Sequence, residues 1–205
     1  MARLPMFPLG SVVLPHQSLS LHVFEPRYRS LVRDCLAGDR TFGVVLIERG
    51  SEVGGGDTRF GAGCIARIVE AEETPDGRWG LRCLGAHRIR VVEWLPDDPY
   101  PVAEVEVRGD GPWTPDASAA LTQALGAFRR VLALAVELGG QVDPGVLDLP
   151  EDPLVGHWLL AARAPIADLD KLRILSADTA ERRLDLLAAG LVDLEAMLAS
   201  RLSGG

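Results

Sequence analysis

The residues best able to do acid–base or metal chemistry are few and scattered along this chain. No two histidines have the spacing of a paired metal site, and no serine lies in a Gly-x-Ser-x-Gly nucleophile turn. The histidines are His16, His22, His87 and His157. The three cysteines are an odd number at wide spacings, which favours buried free thiols over a disulfide or a metal site. The sequence therefore predicts no metal, no cofactor and no histidine-based catalysis.

The single lysine, Lys171, is the only amine side chain that could serve as a general base. Asp168 and Asp170 lie within three residues of it, and two nearby carboxylates favour the charged form of a lysine. A charged lysine cannot accept a proton, so Lys171 is predicted to be unsuited to general-base catalysis. The chain also has no glycine-rich loop followed by a lysine, the pattern that cradles nucleotide phosphates. No catalytic residue is predicted.

A group of polar and aromatic residues around residues 24–28 is the first candidate for binding. In a structural interpretation, Glu25 caps the following helix, Tyr28 packs inward, and Arg27 pairs with a carboxylate or with backbone carbonyls. In a functional interpretation, the same side chains and the nearby His22 line a cleft that grips an extended peptide. The candidate peptide contacts in this segment are therefore His22, Glu25, Arg27 and Tyr28.

Four arginines form the second candidate surface. They alternate with apolar residues on both sides of a turn predicted at residues 85–86, so they are expected on one outer face of a sheet. These residues are Arg78, Arg82, Arg88 and Arg90. Solvated arginines are ordinary on a hairpin, but such a face could also dock acidic protein segments or nucleic acid.

Trp113 is the third candidate because it follows the best domain boundary of the chain, residues 109–112. Aromatic side chains at a cleft between domains suit peptide recognition. Trp113 is therefore predicted to stay partly exposed and to contribute to peptide binding, while the other tryptophans are expected in the core.

The elements that position these residues change type near residue 111. Three prolines in the first fifteen residues forbid a helix there, and residues 18–23 alternate as a half-buried strand does. A helix is predicted from Pro26 to Gly38, a glycine-rich mobile loop over residues 50–57, and a turn over residues 74–77. Further strands are predicted at residues 42–48, 64–70, 78–83, 88–91 and 102–108.

The pattern beyond Pro112 is helical. Helix starts are predicted at Thr114, Asp152 and Asp178, with a short helical element near residues 169–175. Asp178 and Glu181 have the spacing of a capping box. Strands followed by helices predict an α+β fold, with a β-rich domain over residues 1–111 and a helical domain over residues 112–205.

Two segments carry a family resemblance. Residues 4–10 (LPMFPLG) and 24–28 (FEPRY) resemble the opening of the Lon protease N-terminal, substrate-binding domain family, and residues 178–187 are similar to its late helix. The resemblance implies a PUA-like β pseudo-barrel of about six strands with one helix, followed by a bundle of about four helices. Full Lon proteases also have an ATPase module and a serine–lysine protease module, whose motifs this sequence lacks. The resemblance therefore implies a stand-alone bacterial member that recognises proteins without cleaving them.

Composition limits the classes of partner. The chain has 205 residues, of which 47% are hydrophobic, and a formal net charge of -8, which suits neither a phosphate backbone nor an anionic membrane. No apolar run approaches a membrane span, so a cytoplasmic protein is expected. We predict a non-catalytic module that binds unfolded or peptide segments in a cleft between its domains, or acts as an adaptor. The alternative is an RNA-binding PUA-like module that uses the arginine face.

Overall fold

Among the residues that the structure describes, the six strands lie within residues 2–108, and four of the five α-helices follow them. The computed structural model describes residues 1–49 and 58–203; the loop predicted over residues 50–57 lies outside the described residues. The elements are β1 (Ala2–Leu9), β2 (Ser18–Val23), α1 (Pro26–Ala37), β3 (Thr41–Arg49), β4 (Thr58–Glu73), β5 (Trp79–Leu95), β6 (Val102–Arg108), α2 (Pro115–Glu137), a 3-10 turn (Pro144–Leu147), α3 (Pro153–Arg163), α4 (Asp168–Ser176) and α5 (Ala180–Ser203). The predicted α+β order is confirmed.

The chain divides into two compact units. The β unit is Met1–Gly109, and the helical unit is Asp110–Gly205. Each unit has its own hydrogen-bonded framework, described below.

Five strands of the β unit form a closed ring, and the sixth is added as an edge. The strands pair in the order β5, β4, β3, β1 and β6, and β6 pairs again with β5. Among the described residues, β2 pairs only with β5, through residues 18–23 and 79–84. The next part of the same edge of β5, residues 88–95, pairs with β6. β5 therefore joins the edge strand to the ring.

Side chains pack on both faces of this ring. A small inner cluster draws on every ring strand and includes Met6, Val45, Ile65, Ile89 and Val105. On the other face, alternate strand residues pack against the buried residues of α1, which are Tyr28, Leu31, Val32 and Cys35. Burial on both faces explains why β1 and β3 contain continuous apolar runs, since no side of these strands meets water.

The turn predicted at residues 85–86 is wrong, because β5 continues through it as a single strand. The amide of Gly85 donates to the Gln17 carbonyl at 2.9 Å, and the Gly85 carbonyl accepts from the His16 amide at 2.8 Å. A Cβ atom on Gly85 would collide with the Leu14 carbonyl. Glycine here permits a close approach of two backbones, and the register with β4 shifts at the same place.

The turn predicted over residues 74–77 is present and joins β4 to β5. Gly77 has a positive φ of 76°, and its amide donates to the Thr74 carbonyl at 2.8 Å. Only glycine adopts this conformation at little cost. The turn lies beside α1, as Arg29 of that helix packs against Gly77.

The helical unit is built on two long helices that pack against each other, α2 and α5. α5 buries Leu184, Leu187 and Leu191, while its last turns are more exposed. α2 buries a row of alanines with Phe128 and Val131. Small alanines on one face let the two helices approach closely.

α2 is also long and apolar enough to cross a membrane by length and composition, with a mean hydropathy of 1.3 over its most apolar window. The expectation that no segment approaches a membrane span is therefore corrected for this helix. Core helices of bundles pass the same test, and α2 packs against α5, so the feature is weak evidence of a membrane segment.

Short polar side chains cap three of the C-terminal helices. The hydroxyl of Thr114 accepts from the Ala117 amide at 3.1 Å, which starts α2, and the carboxylate of Asp152 accepts from the Leu154 amide at 2.9 Å, which starts α3. For α5 the predicted cap, Asp178, is wrong. The helix begins one residue later than expected, so the hydroxyl of Thr179 accepts from the Arg182 amide at 3.2 Å.

Candidate functional site

β2 is an edge strand whose outer edge has no strand partner among the described residues. Its side chains alternate as predicted, with Leu19, Leu21 and Val23 against the core and His22 exposed. An unpaired edge presents backbone N–H and C=O groups that another extended chain can pair with. β2 is therefore the part of the sheet best placed to accept a peptide.

Three cavities adjoin this strand, and His22 lines all of them. The largest has a volume of about 390 Å³ and lies between β2 and the β4–β5 turn, with Phe24 and Trp79 as its large apolar lining residues. The second, of about 160 Å³, is lined by Phe7, Phe24 and Tyr28 among others. The third, of about 330 Å³, follows the polar face of β2, β5 and β4. Apolar and polar cavities thus flank one strand.

Phe24 stands directly after β2 and lines the two apolar cavities. It is 53% exposed, although it is a large apolar side chain. An exposed aromatic residue beside preformed cavities is typical of a binding surface. The sequence analysis did not single out Phe24, but an apolar residue just beyond an alternating strand was a usable signal.

The start of α1 matches the structural interpretation only in part. Glu25 is at the predicted N-cap position, although its side chain makes no capping hydrogen bond. Its carboxylate instead accepts from Arg27 Nε at 3.2 Å. The Arg27 guanidinium lies 4.4 Å from the centre of the Tyr28 ring, and Tyr28 is buried and stacks on Phe7 with ring centres 4.2 Å apart. Of the four predicted contacts, His22, Glu25 and Tyr28 line one cavity together.

Three buried N–H groups near this site have no acceptor among the described residues. They are Arg27 Nη2, Arg29 Nε and Trp79 Nε1. Such groups are rare in folded proteins, because leaving a buried donor without a partner costs about 1–3 kcal/mol. Arg29 could not be singled out from the sequence, since an arginine on an amphipathic helix is ordinary.

The four predicted face arginines do not form one exposed, unpaired surface. The expectation that Arg88 is exposed is wrong: it is only 3% exposed and donates to the Gly109 carbonyl, because the bulge of β5 turns it inward. The other three arginines are exposed, and each has a carboxylate partner. These pairs are Arg78 with Asp76, Arg82 with Glu70, and Arg90 with Glu106.

These ion pairs neutralise the exposed arginines. Hydrogen bonds from Arg82 hold the pKa of Glu70 below its usual value, and hydrogen bonds from Arg90 do the same for the pKa of Glu106. Both carboxylates therefore stay charged beside their arginines. A surface of this kind has little net positive charge to offer a phosphate backbone.

Trp113 belongs to the helical unit and is half-buried. Its indole N–H donates to the Ser118 hydroxyl at 2.8 Å, and its ring centre is 5.7 Å from that of His157. These contacts hold the Trp113 side chain against the first turn of α2 and the ring of His157. Its donor already has an acceptor, unlike that of Trp79.

The helical unit contains a buried polar network that the sequence analysis missed. Arg183 is 1% exposed, and its guanidinium donates to the carbonyls of Ala177 and Asp178, both at 3.1 Å. Arg183 Nη1 also lies 3.5 Å from a carboxylate oxygen of Asp110 and 3.3 Å from His157 Nε2. A second donor, Trp158 Nε1, reaches the same carboxylate at 3.0 Å. The network links the start of the unit to α3 and α5.

Lys171 differs from its predicted state. Its amine donates to the Ala162 carbonyl at 3.1 Å, and burial lowers the pKa of Lys171 more than the nearby Asp168 raises it. The expectation that carboxylates dominate its charge state is therefore wrong. The amine is committed to a helix carbonyl, which is a structural role.

The cysteines are buried free thiols. Burial raises the pKa of Cys35 to about 12, with a smaller contribution from Asp34, and burial raises the pKa of Cys83 to about 11. Thiols with such values carry almost no thiolate at neutral pH and are poor nucleophiles.

Comparison with known proteins identifies one family over nearly the whole chain. The sequence profile of the ATP-dependent protease La (LON) substrate-binding domain matches residues 3–192. Lon protease 2 of Herpetosiphon aurantiacus is 26% identical over 92% of the chain, and a LON peptidase N-terminal domain and RING finger protein of Schizosaccharomyces pombe is 22% identical over 94%. The chain spans 23% of the first of these proteins and 45% of the second.

Solved structures agree with this result. A Lon N-terminal domain protein from Xanthomonas campestris has a TM-score of 0.66 and 30% sequence identity, covering 92% of this chain and 98% of that one. The N-terminal domain of a Mycobacterium avium complex Lon protease shares the fold, with a TM-score of 0.65 at 14% identity, covering 95% of this chain and 98% of that one. The chain therefore belongs to the Lon protease substrate-binding domain family.

Proposed function

We propose that the β2 edge binds extended, apolar segments of other proteins, and that the chain uses it to recognise substrates without cleaving them. The family supports the general role, since it is the substrate-binding part of an ATP-dependent protease. The observation that carries the specific proposal is that an unpaired strand edge and three cavities meet at the same short strand.

The binding mode follows from strand geometry. A guest segment that pairs with β2 has side chains that alternate between the two faces of the enlarged sheet. Near the end of β2 these side chains meet the apolar cavities beside Phe24, and along Ser20 and His22 they meet the polar cavity. Backbone pairing then supplies affinity for any extended chain, and the cavities favour segments that contain both apolar and polar residues.

In this proposal the protein acts in the cytoplasm. Three buried thiols fit a reducing compartment, where unfolded segments of other proteins are also present. The chain itself does not cleave the segments that it binds at β2. As an adaptor, it holds them until a separate protease module acts on them.

The test is a binding titration with short fluorescein-labelled peptides that alternate phenylalanine and serine, followed by anisotropy. Phe24→Ala removes the exposed aromatic side chain and should weaken binding about tenfold, the equivalent of about 1.4 kcal/mol. Leu169→Ala is a matched control, because Leu169 is 54% exposed on α4 and lines none of the three cavities. It should bind like the unaltered protein.

Hydrogen exchange provides the second measurement. A guest strand should slow amide exchange within residues 18–23 when peptide is added, because outward-facing N–H groups become hydrogen-bonded. Equal binding by the Phe24→Ala variant, or protection that appears elsewhere and not in β2, would contradict the proposal.

A further inference from the structure

We infer that the start of α1 and the β4–β5 turn form a carboxylate-binding position beside β2, which selects bound segments that carry an aspartate or glutamate next to an apolar residue. This inference rests on the proposed function for the presence of a bound segment. It adds the chemical class of the residue that the segment must contain.

The first support is the set of buried donors that lack acceptors among the described residues. Arg27 and Arg29 are both in the first turn and a half of α1, and each leaves one guanidinium nitrogen without an acceptor. The indole N–H of Trp79 is the third such group, and Trp79 lines the cavity of about 390 Å³. All three groups are donors, so their common complement is an acceptor with several lone pairs.

The second support is the position of Arg29. Its guanidinium lies against Gly77 in the β4–β5 turn. Two other residues of this turn, Thr74 and Arg78, line the same cavity as Trp79. The segment that connects β2 to α1 brings Arg27 close to the smaller cavity, since both neighbours that Arg27 contacts, Glu25 and Tyr28, line it. The donors therefore lie around the end of β2 where a guest strand would pass.

The third support is the local charge balance. Exposed arginines near the turn have carboxylate partners: Arg33 pairs with Glu73, Arg78 with Asp76, and Arg82 with Glu70. Arg29 has no ion-pair partner in the part of the chain that the structure describes. A cation that the fold does not neutralise favours an anionic group from the ligand, and guanidinium groups bind carboxylates with two parallel hydrogen bonds.

The surroundings favour a single carboxylate on a peptide over a more highly charged anion. Glu72 lines the larger cavity and Glu25 the smaller one, so a doubly charged phosphate in either cavity would meet a carboxylate. Phe24 and Trp79 supply apolar walls, which a free inorganic ion cannot use. An acidic side chain flanked by an apolar residue uses both the donors and the walls.

The experiment uses short fluorescein-labelled peptides with two phenylalanines on either side of one guest position. The guest is aspartate in one peptide and asparagine in its isosteric partner. The full chain should bind the aspartate peptide about tenfold more tightly, as expected for a buried hydrogen bond to a charged group. Arg29→Gln should remove this preference while leaving the asparagine peptide within about twofold of its original affinity.

Two further variants separate binding from folding. Trp79→Phe keeps an aromatic ring and removes the indole N–H, so it should reduce the aspartate preference by about threefold. Arg173→Gln, which removes an exposed arginine from α4, should leave the preference unchanged. In amide and indole NMR spectra, the resonance lost in Trp79→Phe should shift on adding the aspartate peptide and not on adding the asparagine peptide.

The outcomes distinguish the two proposals. Equal binding of the aspartate and asparagine peptides overturns the carboxylate position and leaves peptide binding at β2 intact. An equal loss of both peptides in Arg29→Gln assigns Arg29 a structural role and also overturns the inference. If neither peptide binds to the full chain, both proposals fail.

Discussion

The two units satisfy their buried polar groups to different degrees. In the helical unit, all three guanidinium nitrogens of Arg183 have acceptors, which come from the backbone, His157 and Asp110. In the β unit, Arg27 and Arg29 each leave a buried nitrogen without an acceptor among the described residues. All three arginines lie on helices, and they differ in the hydrogen-bond acceptors that the fold places around them.

This difference separates structural from functional candidates. A buried polar group whose hydrogen bonds are complete stabilises one arrangement of its neighbours and has no capacity left for a ligand. A buried donor without an acceptor costs stability, and a ligand that supplies the acceptor recovers that cost on binding. This difference fits a stabilising role for the helical network and the proposed recognition role for the donors near β2.

The largest expected effect is the loss of Arg183. Arg183→Met should destabilise the helical unit by about 3–5 kcal/mol, because the Asp110 carboxylate and several carbonyls lose their buried donor. The measurement is urea denaturation followed by fluorotryptophan NMR, which reports two tryptophans in each unit.

Arg173→Met is the control for this change, since the side chain of Arg173 is 70% exposed and should cost less than about 0.5 kcal/mol. A loss below about 1 kcal/mol in Arg183→Met would show that the network is not what stabilises the unit. If the β-unit tryptophans reported the larger loss of unfolding free energy, the stabilising role of Arg183 in the helical unit would be wrong.

The second prediction concerns alkaline pH, where the two units should respond with opposite sign. Burial raises the pKa values of Cys35 to about 12 and of Cys83 to about 11, above the ordinary value of 9.0. Between pH 9 and these values the unfolded β unit has lost thiol protons that the folded unit keeps, so its stability falls as pH rises. The slope is at most about 1.4 kcal/mol per pH unit for each thiol.

The helical unit contains none of the cysteines, and burial lowers the pKa of its Lys171. The unfolded state then keeps a proton that the folded state has lost, so the stability of this unit should rise slightly as pH approaches 10.5. Fluorotryptophan NMR during denaturation at pH 8 and pH 10 measures both slopes. Cys83→Ala should flatten the slope of the β unit, and an unchanged slope in that variant would assign the effect to other groups.

The third prediction concerns a buried polar group of the β unit that does have a hydrogen-bond partner. The Tyr100 hydroxyl donates to the Asp34 carboxylate at 2.6 Å, which ties the segment before β6 to α1. Tyr100→Phe should cost about 1–2 kcal/mol of unfolding free energy, since the hydrogen bond is charge-assisted. A double-mutant cycle with Asp34→Asn measures the coupling energy between the two side chains. A coupling energy near zero would show that this hydrogen bond does not stabilise the β unit.

The smallest expected effect is the loss of a helix cap. Thr114→Ala should cost about 1 kcal/mol, because the first turn of α2 loses the acceptor for the Ala117 amide. Thr122→Ala is the matched control on the same helix, where the hydroxyl donates to the Ser118 carbonyl within the helix. That substitution should change stability by less than about 0.5 kcal/mol, and a cost equal to that of Thr114→Ala would argue against capping.

Local pattern was sufficient to predict most of the fold. Proline at Pro26 and Pro115 and short polar residues such as Thr114 act within one turn of the chain, so the starts of α1 and α2 could be predicted. Gly85 was misinterpreted because its role depends on the backbone of Leu14, which is distant in sequence. The burial of Arg88 has the same cause, since it follows from the bulge that begins at Gly85.

The candidate site could be predicted only in outline. His22 and Tyr28 were identified because they flank a turn with a distinctive sequence, and they do line one cavity. Arg29 and Trp79 were missed because an unmet hydrogen bond is a property of the surroundings and leaves no mark on the sequence. Arg183 was missed because its contacts come from three separate segments of the chain, at residue 110, residues 157–158 and residues 177–178.

Closure of the β ring has a consequence for synthesis on the ribosome. Ala2 and Leu4 of β1 pair with Val105 and Ala103 of β6, so the first strand is made about 100 residues before its partner. At ordinary translation rates of about 5–20 residues per second, one edge of β1 stays open for about 5–20 seconds. The two prolines of β1 lack N–H groups and weaken pairing with a wrong strand during this interval. The ring can close correctly only after β6 has left the exit tunnel.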